Sequence, residues 1–449
     1  MKVAKFGGSS LASAEQIKKV CKIILSDPDR KIIVVSAPGK RFKEDIKITD
    51  LLIQCAEDSL AGGTGEKQLK AIVNRYKEIA LDLGMSSTIV NDIKADIKAR
   101  LSSDKKNSAK YIDSLKAAGE DNCAKLVASY LQSLGVNARY VSPKDAGLYL
   151  SNEYGNATVL SESYENLMNL ANMEGIIIFP GFFGYSKSGD IVTFSRGGSD
   201  ITGSILAAAV NADLYENFTD VDCVYSANPN IIPNPKPIEE ITYREMRELS
   251  YAGFSVFHEE ALIPVYQRDI PVRIKNTNNP DAPGTTIIPF RRTVKTPVVG
   301  VAGDTGFCCI SMSKYLMNRE IGFGRRVLNI LEDENLSFEH MPSGIDHMSI
   351  ILRDKQLSRE AEERIVKRIK TELLVDDVFV QRDLALVMIV GEGMQNTIGI
   401  ASRATNALAR NRINIEMISQ GFFEFSMMFG VNKDKCVDAI KALYYEFFE

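Results

Sequence analysis

A repeat in the last third of this 449-residue chain constrains its fold more than any other feature. Met317–Gly344 reads MNREIGFGRRVLNILEDENLSFEHMPSG, and Met394–Gly421 reads MQNTIGIASRATNALARNRINIEMISQG. The copies align without gaps at an offset of 77 residues, with eight of 28 positions identical. Ordinary residue usage would give about one or two identities by chance. Each copy has the pattern loop, helix, strand, glycine turn. Further strand-like runs follow at Met348–Leu352 and Phe425–Val431. One such unit cannot bury its apolar face alone, so the pattern predicts two small α+β units packed side by side.

The first 290 or so residues follow a different rule. Short β-branched runs at Ile32–Val35, Ile176–Phe179 and Val272–Ile274 alternate with helical patterns such as Ala14–Ser26 and Ser204–Asn211. Alternation of this kind predicts an α/β layer fold with a largely parallel sheet. Between Glu66 and Lys116 the chain is rich in Lys, Asp, Glu and Ala, with Leu and Ile at helical spacing. Two or three amphipathic helices covering the core are expected there. The Pro-rich stretches Asn228–Pro237 and Asn279–Pro289 are expected to be loops, the second a domain boundary.

Bulk properties exclude several classes. Apolar content of 45% and charged content of 25% suit a globular protein. A net charge of −4 gives no hint of a nucleic-acid partner. The seven cysteines are scattered without CxxC pairs, so neither a disulfide framework nor a zinc site is expected. No apolar run reaches membrane-spanning length and the chain starts on a strand-like run, so a cytoplasmic protein is expected.

Four motifs carry chemistry. Lys5-Phe6-Gly7-Gly8-Ser9-Ser10 follows a strand and precedes a helix. Paired glycines let backbone N–H groups approach an anion, and Lys5 can reach over bound phosphates. The same residues serve equally as a tight turn with Ser9 or Ser10 as helix cap. The second motif, Ser195-Arg196-Gly197-Gly198-Ser199-Asp200, opens another helix. Arg196 offers a planar fork for a carboxylate. The third, Thr219-Asp220-Val221-Asp222, ends a short run and leads to Tyr225; a plain turn is its alternative. The fourth is Glu120, in Ala118-Gly119-Glu120, expected in the first turn of a helix. It is either a dipole-favoured acid or an acceptor for a substrate ammonium. The three histidines, 258, 340 and 347, lie outside these motifs, which disfavours a histidine-based nucleophile. Their absence fits a carboxylate acceptor. That group is ionised near neutral pH, with a pKa of about 4, and needs no general base.

These motifs resemble the amino-acid kinase family, most closely its aspartate kinases. KFGGSS, the run PGFFGYSKSGDIVTFSRGGSDITGS, FTDVDCVYSANP and the ACT-like segment RINIEMISQG carry the likeness, which covers nearly the whole chain. The resemblance implies a three-layer α/β kinase domain with a mainly parallel sheet, followed by two α+β (ACT, ferredoxin-like) domains. The expected limits are 1–290 for the kinase domain, with a helical subdomain at 66–118. The first ACT unit is expected at 303–381, and the second at 297–302 plus 382–449. The implied reaction moves the γ-phosphate of ATP, carried with Mg²⁺, onto the side-chain carboxylate of L-aspartate, the first step toward lysine, threonine and methionine.

By the same resemblance Lys5 neutralises the moving phosphoryl group and Asp200 orients Lys5. Gly7, Gly8 and Ser9 cradle phosphates. Arg196 clamps the substrate α-carboxylate, and Glu120 holds its ammonium. Ser36, Thr49, Phe183, Gly197 and Ser199 shape the aspartate pocket, and Thr219, Asp220 and Tyr225 line the nucleotide pocket. An effector site, for lysine first and threonine second, would involve Met317, Asn318, Ile321, Gly322, Phe338, Glu339, His340 and Met341. A homodimer or homotetramer through ACT edges is implied.

Two places depart from the family pattern. Asn228-Pro229-Asn230 stands where the family has a DPR triplet. Ala252-Gly253-Phe254-Ser255-Val256-Phe257-His258 stands where it has GAKVxHP, so Ser255 replaces a lysine. Two positive charges are lost from the nucleotide side, with Lys275 a candidate to compensate. A kinase for glutamate or a derivative, and a non-catalytic amino-acid sensor, are the competing readings.

Overall fold

The computed structural model describes every residue except Arg196, Ser255, Val256, His258, 292–295 and 422–424. The chain divides into two compact units: Met1–Val224, Pro237–Ser250 and Ser255–Arg292 in the first, Tyr225–Lys236, Tyr251–Phe254 and Thr293–Glu449 in the second.

The first unit is built on an eight-stranded sheet. Its strands lie in the order Glu240–Thr242, Thr285–Ile288, Val272–Asn276, Leu214–Thr219, Lys2–Phe6 (β1), Arg30–Val35 (β2), Ile176–Pro180 and Ala138–Tyr140. Every neighbouring pair is parallel except Val272–Asn276 with Thr285–Ile288. The central strands are apolar on both faces, as a sheet covered on both sides requires. Val3, Ala4, Phe6, Ile32, Ile33, Val34 and Val35 are all fully buried.

Helix α1 (Ala14–Leu25) joins β1 to β2, and after β2 come α2 (Ile48–Leu60), α3 (Glu66–Asp82), α4 (Thr88–Leu101) and α5 (Ser108–Ser133). Three details differ from the sequence expectation. The cap of α1 is Ser13, whose side chain accepts from the Gln16 N–H, while Gly8–Leu11 forms a separate 3₁₀ turn. Ser9 and Ser10 therefore belong to that turn. Glu120 does not open a helix; it sits mid-way along the 26-residue α5. The first-turn dipole argument does not apply to it. Finally, the stretch Asn279–Pro289 contains the strand Thr285–Ile288, whose Thr-Thr-Ile-Ile run overrides the flanking prolines.

The second unit carries a five-stranded antiparallel sheet, ordered His347–Arg353, Gly300–Ser313, Asp377–Val390, Ser426–Asn432, Met417–Ser419. The repeat is visible in its backbone. Gly322 and Gly399, 77 residues apart, each take a left-handed conformation (φ 76° and 91°) and start the helices Phe323–Asp333 and Ile400–Arg410. Only glycine adopts this without strain. Each copy has its own core, one around Phe323, Val327 and Ile350, the other around Ala404, Leu408 and Phe429. The expected strand after the helix forms in the second copy only, as Met417–Ser419. In the first, isolated bridges at His340 and Ser343 take its place. Among the described residues no helix is long and apolar enough to cross a membrane.

Candidate active site

The site lies at the carboxyl ends of β1, β2 and Leu214–Thr219, where ligands gather in open parallel sheets. β1 delivers Lys5 as the last residue but one of a strand buried on both sides, so its ammonium leaves the sheet at this edge. Lys5 is only 7% exposed, and its Nζ lies 2.5 Å from Asp200 Oδ1. Asn217 joins the pair: its Nδ2 donates to Asp200 Oδ1 at 2.7 Å, and its Oδ1 accepts from Lys5 Nζ at 3.5 Å. Taking an ammonium out of water costs several kcal/mol, on the order of what one partner returns.

The glycine turn expected to cradle phosphate begins two residues after Lys5. Gly7 donates its N–H to the Phe218 carbonyl at 3.1 Å, fixing it between two strands. A Cβ on Gly7 would stand 3.6 Å from Lys5 Nζ, so the ammonium sits directly beside this backbone. A Cβ on Gly8 would stand 2.9 Å from the Ala37 carbonyl oxygen and 3.3 Å from Gly39 Cα. No side chain fits there. Ser9 follows on the 3₁₀ turn, and Ser10 Oγ is tied to Thr277 Oγ1 at 2.7 Å.

The second glycine-rich loop approaches from the other side. Gly197 is left-handed (φ 76°) and opens the helix Gly198–Ala209, which holds Ser199 and Asp200 in its first turn. Gly181 follows β2's neighbour strand and donates to the Val35 carbonyl at 3.0 Å. A Cβ on Gly181 would come within 2.6 Å of Ser199 Oγ. Ser36 continues the same edge, its N–H bonded to the Phe6 carbonyl at 3.2 Å. Thr49 lies in the first turn of α2. Phe183 is 1% exposed. Arg196 lies outside the described residues.

Glu120 reaches this edge from α5. It is 5% exposed, and its Oε2 has no hydrogen-bond partner among the described residues. Burial pushes its carboxyl up to about 8, against a smaller lowering by the N–H groups of Ala37 and of Glu120 itself. An orphaned carboxylate oxygen at such depth calls for a cation. Ala37 joins the two halves of the site, since it bonds Glu120 on one side and packs against Gly8 on the other.

The strand Leu214–Thr219 ends at Thr219, whose Oγ1 lies 3.2 Å from the exposed Asp220 Oδ1. Tyr225 belongs to the second unit, and Thr219 and Asp220 belong to the first. Asn230 is exposed, with its N–H turned to Asn228 Oδ1, and Ser255 lies outside the described residues. Lys275 does not stand with the cradle. It lines a cavity of about 430 Å³ with Lys22, Ser26, Asp27, Arg30 and Asp281.

In the second unit the expected effector residues separate into two groups. Met317 is 4% exposed and belongs to the first copy's core, so its side chain is not available to a ligand. Ile321, at 97%, and Phe338, at 45%, are exposed, and Asn318 stands nearby in the chain with its N–H on the Ile345 carbonyl. Glu339 accepts from Tyr251 Oη at 2.5 Å and from Arg353 Nε at 3.4 Å. The backbone of Glu339 and His340 bridges to Ile351. Met341 packs partly against the first copy's core.

Sequence reasoning missed Asn217 and Ala37. The signal for Asn217 was a polar residue in the buried run Leu214–Phe218, shared with its neighbour Glu216; Ala37 gave none.

A buried lysine beside a glycine turn, and a buried carboxylate with one unpartnered oxygen, with no histidine placed beside them among the described residues, fit a kinase whose acceptor arrives already ionised. Comparison with known proteins narrows this class. The profile of the amino acid kinase family matches residues 1–276, and an ACT domain profile matches residues 387–447. The chain is 58% identical over 448 residues to aspartokinase 3 of Bacillus subtilis (strain 168), covering 100% of this chain and 99% of that protein. It superposes on the crystal structure of Clostridium acetobutylicum aspartate kinase with a TM-score of 0.87 at 40% identity, covering 100% of both chains. Escherichia coli aspartokinase III in complex with aspartate and ADP gives a TM-score of 0.82 at 25% identity, again over 100% of both chains. The chain belongs to the amino acid kinase family and, within it, to the aspartokinases.

Proposed function

We propose that this chain transfers the γ-phosphate of ATP to the side-chain carboxylate of L-aspartate, giving 4-phospho-L-aspartate. The observation that carries this reading is the pairing of Lys5 and Asp200 beside Gly7, with the orphaned Glu120 carboxylate across Ala37. The backbone at Gly7, Gly8 and Ser9 receives the phosphates. Lys5 neutralises charge as the phosphoryl group moves, and Asp200 with Asn217 keeps its ammonium in line. The substrate ammonium pairs with Glu120, and Arg196 takes the α-carboxylate as a fork. Ser36, Thr49, Phe183, Gly197 and Ser199 border the aspartate, while Thr219, Asp220 and Tyr225 border the nucleotide. The β-carboxylate attacks as an anion, so catalysis rests on alignment and charge neutralisation.

Mg²⁺ fits the site as a companion of ATP, held mainly by phosphate oxygens and water with Asp220 on that side; it supplies further charge neutralisation. The C-terminal unit senses an end-product amino acid. Lysine is favoured, because the Glu339 carboxylate suits its ammonium and exposed Ile321 and Phe338 suit its stem. The edges of the five-stranded sheet pair between copies in a dimer or tetramer. The enzyme works in the cytoplasm.

Trapping with hydroxylamine tests the reaction, since an acyl phosphate yields a hydroxamate. Aspartyl hydroxamate formed only with ATP and aspartate together is the expected result. ATP hydrolysis without hydroxamate would overturn the reading.

A further inference from the structure

We infer that Arg75 and Tyr76, neighbours on α3, are positioning residues for phosphoryl transfer that clamp the two backbone segments framing Glu120. The inference rests on reading Glu120 as the partner of the substrate ammonium.

Arg75 lies on a helix that the sequence marks only as cover for the core, yet it is 5% exposed. Its Nη1 donates to the Gly39 carbonyl at 3.1 Å, and its Nη2 to Asp45 Oδ1 at 2.6 Å and to the Ile46 carbonyl at 3.4 Å. Asp45 in turn receives the Arg41 N–H and Nε, both at 3.0 Å. One guanidinium thus pins both ends of the loop that follows Ala37. That loop is the outer wall of the cradle: Gly39 N donates to the Gly8 carbonyl at 2.8 Å. A Cβ on Gly39 would fall 2.6 Å from the Gly8 carbonyl carbon. The contact is backbone on backbone, so any shift of Gly39 is transmitted to Gly8.

Tyr76 does the corresponding thing on the other side. Its ring is 1% exposed, and its Oη donates to the Gly119 carbonyl at 2.9 Å, one residue before Glu120. Gly119 itself leaves no room to move, because a Cβ there would lie 2.8 Å from Ala37 Cβ. Two consecutive residues of α3 therefore hold the loop carrying Ala37 and Gly39, and the turn of α5 carrying Glu120. Burying an arginine costs more than a surface helix needs for stability alone. Its partners sit where a displacement of about 1 Å can cost about a hundredfold in rate. The helical subdomain is part of the catalytic scaffold rather than a cover.

Steady-state kinetics of Arg75→Met, Arg75→Lys, Tyr76→Phe and Glu120→Gln test this, with circular dichroism and melting curves for each. For folded Arg75→Met, kcat/KM for aspartate is expected to fall about 10- to 100-fold. Tyr76→Phe, which keeps the ring, is expected to lose about 3- to 10-fold, the worth of one hydrogen bond. Arg75→Lys should recover part of the loss, since an ammonium reaches Asp45 but cannot also hold Gly39. A lowered melting point with wild-type kcat and KM in both Arg75→Met and Tyr76→Phe would overturn the clamp. Should Arg75→Met not fold, Tyr76→Phe decides on the same criterion. If Glu120→Gln leaves the aspartate KM unchanged, the ammonium reading falls and the clamp with it. If Glu120→Gln raises that KM while the α3 variants behave as wild type, the clamp alone falls.

Discussion

The two units spend charge differently. The first holds the deepest pairs among the described residues, beside exposed ones such as Lys187–Glu162: Lys5 and Asp200 have side chains 9% and 15% exposed, Arg75 and Asp45 5% and 8%, Arg30 and Glu216 9% and 3%. In the second, pairs such as Lys433–Asp383, at 49% and 61%, and Arg364–Glu334, at 57% and 14%, stay near water. A surface pair is cheap to form and contributes little. A buried pair survives only where geometry repays its desolvation, and such places are often functional. Depth alone is not the criterion, however. Arg30 holds both carboxylate oxygens of Glu216 and the Ile23 carbonyl, and it acts as a structural tie within the sheet. Glu120 differs because one oxygen is left without a partner.

The largest effect that can break this contrast is at Lys5. Lys5→Ala is expected to lower kcat by about a thousandfold or more, with the fold retained by circular dichroism, since it removes a charge made useful only in the transition state. A loss under tenfold would place Lys5 with the structural pairs.

Glu120 comes next. Glu120→Gln is expected to raise the aspartate KM by about 10- to 100-fold in steady-state assays. Its titration gives an independent reading. Burial holds the carboxyl at about 8 instead of the ordinary 4.5, so the native state keeps a proton that the unfolded chain releases. Ligand-free stability therefore falls as pH rises through that window, and Glu120→Gln should flatten the fall in melting curves taken between pH 5 and pH 8. Aspartate binding reverses the balance, because its ammonium favours the carboxylate. A proton should be released on binding near neutral pH, measurable by calorimetry in two buffers of different ionisation enthalpy.

A smaller effect is expected at Glu339. Glu339→Gln should weaken inhibition by lysine about tenfold, read as a shift in the inhibition curve. Unshifted inhibition would assign sensing to other residues. The smallest effect belongs to Arg364: Arg364→Ala should leave kinetics and melting midpoint unchanged within error, and a clear loss of stability would blur the contrast between the units.

What could be read from the chain divides along the same physical line. Glycine-rich turns are local, so the cradle at Gly7 and Gly8, the left-handed Gly197 and the repeated Gly322 and Gly399 were legible. So were the parallel sheet and the duplicated unit, which rest on periodicity. Residues acting across long separations were not. Asn217 meets Lys5 from a strand 212 residues away, and Arg75 meets Gly39 across 36 residues. Glu120 was found by motif but placed in a first turn, because α5 runs through a stretch whose boundary the sequence does not mark. Met317 was named from the ACT resemblance; its side chain packs in the first copy's core, a long-range contact the local pattern does not mark.

The most direct test is the choice of acceptor. ADP release should be followed in a coupled assay with ATP and Mg²⁺, supplying L-aspartate or L-glutamate in parallel at equal concentration. Turnover with aspartate and none above background with glutamate is the expected result. Turnover with glutamate alone, or with neither while the protein is folded, would contradict the proposed transfer to aspartate.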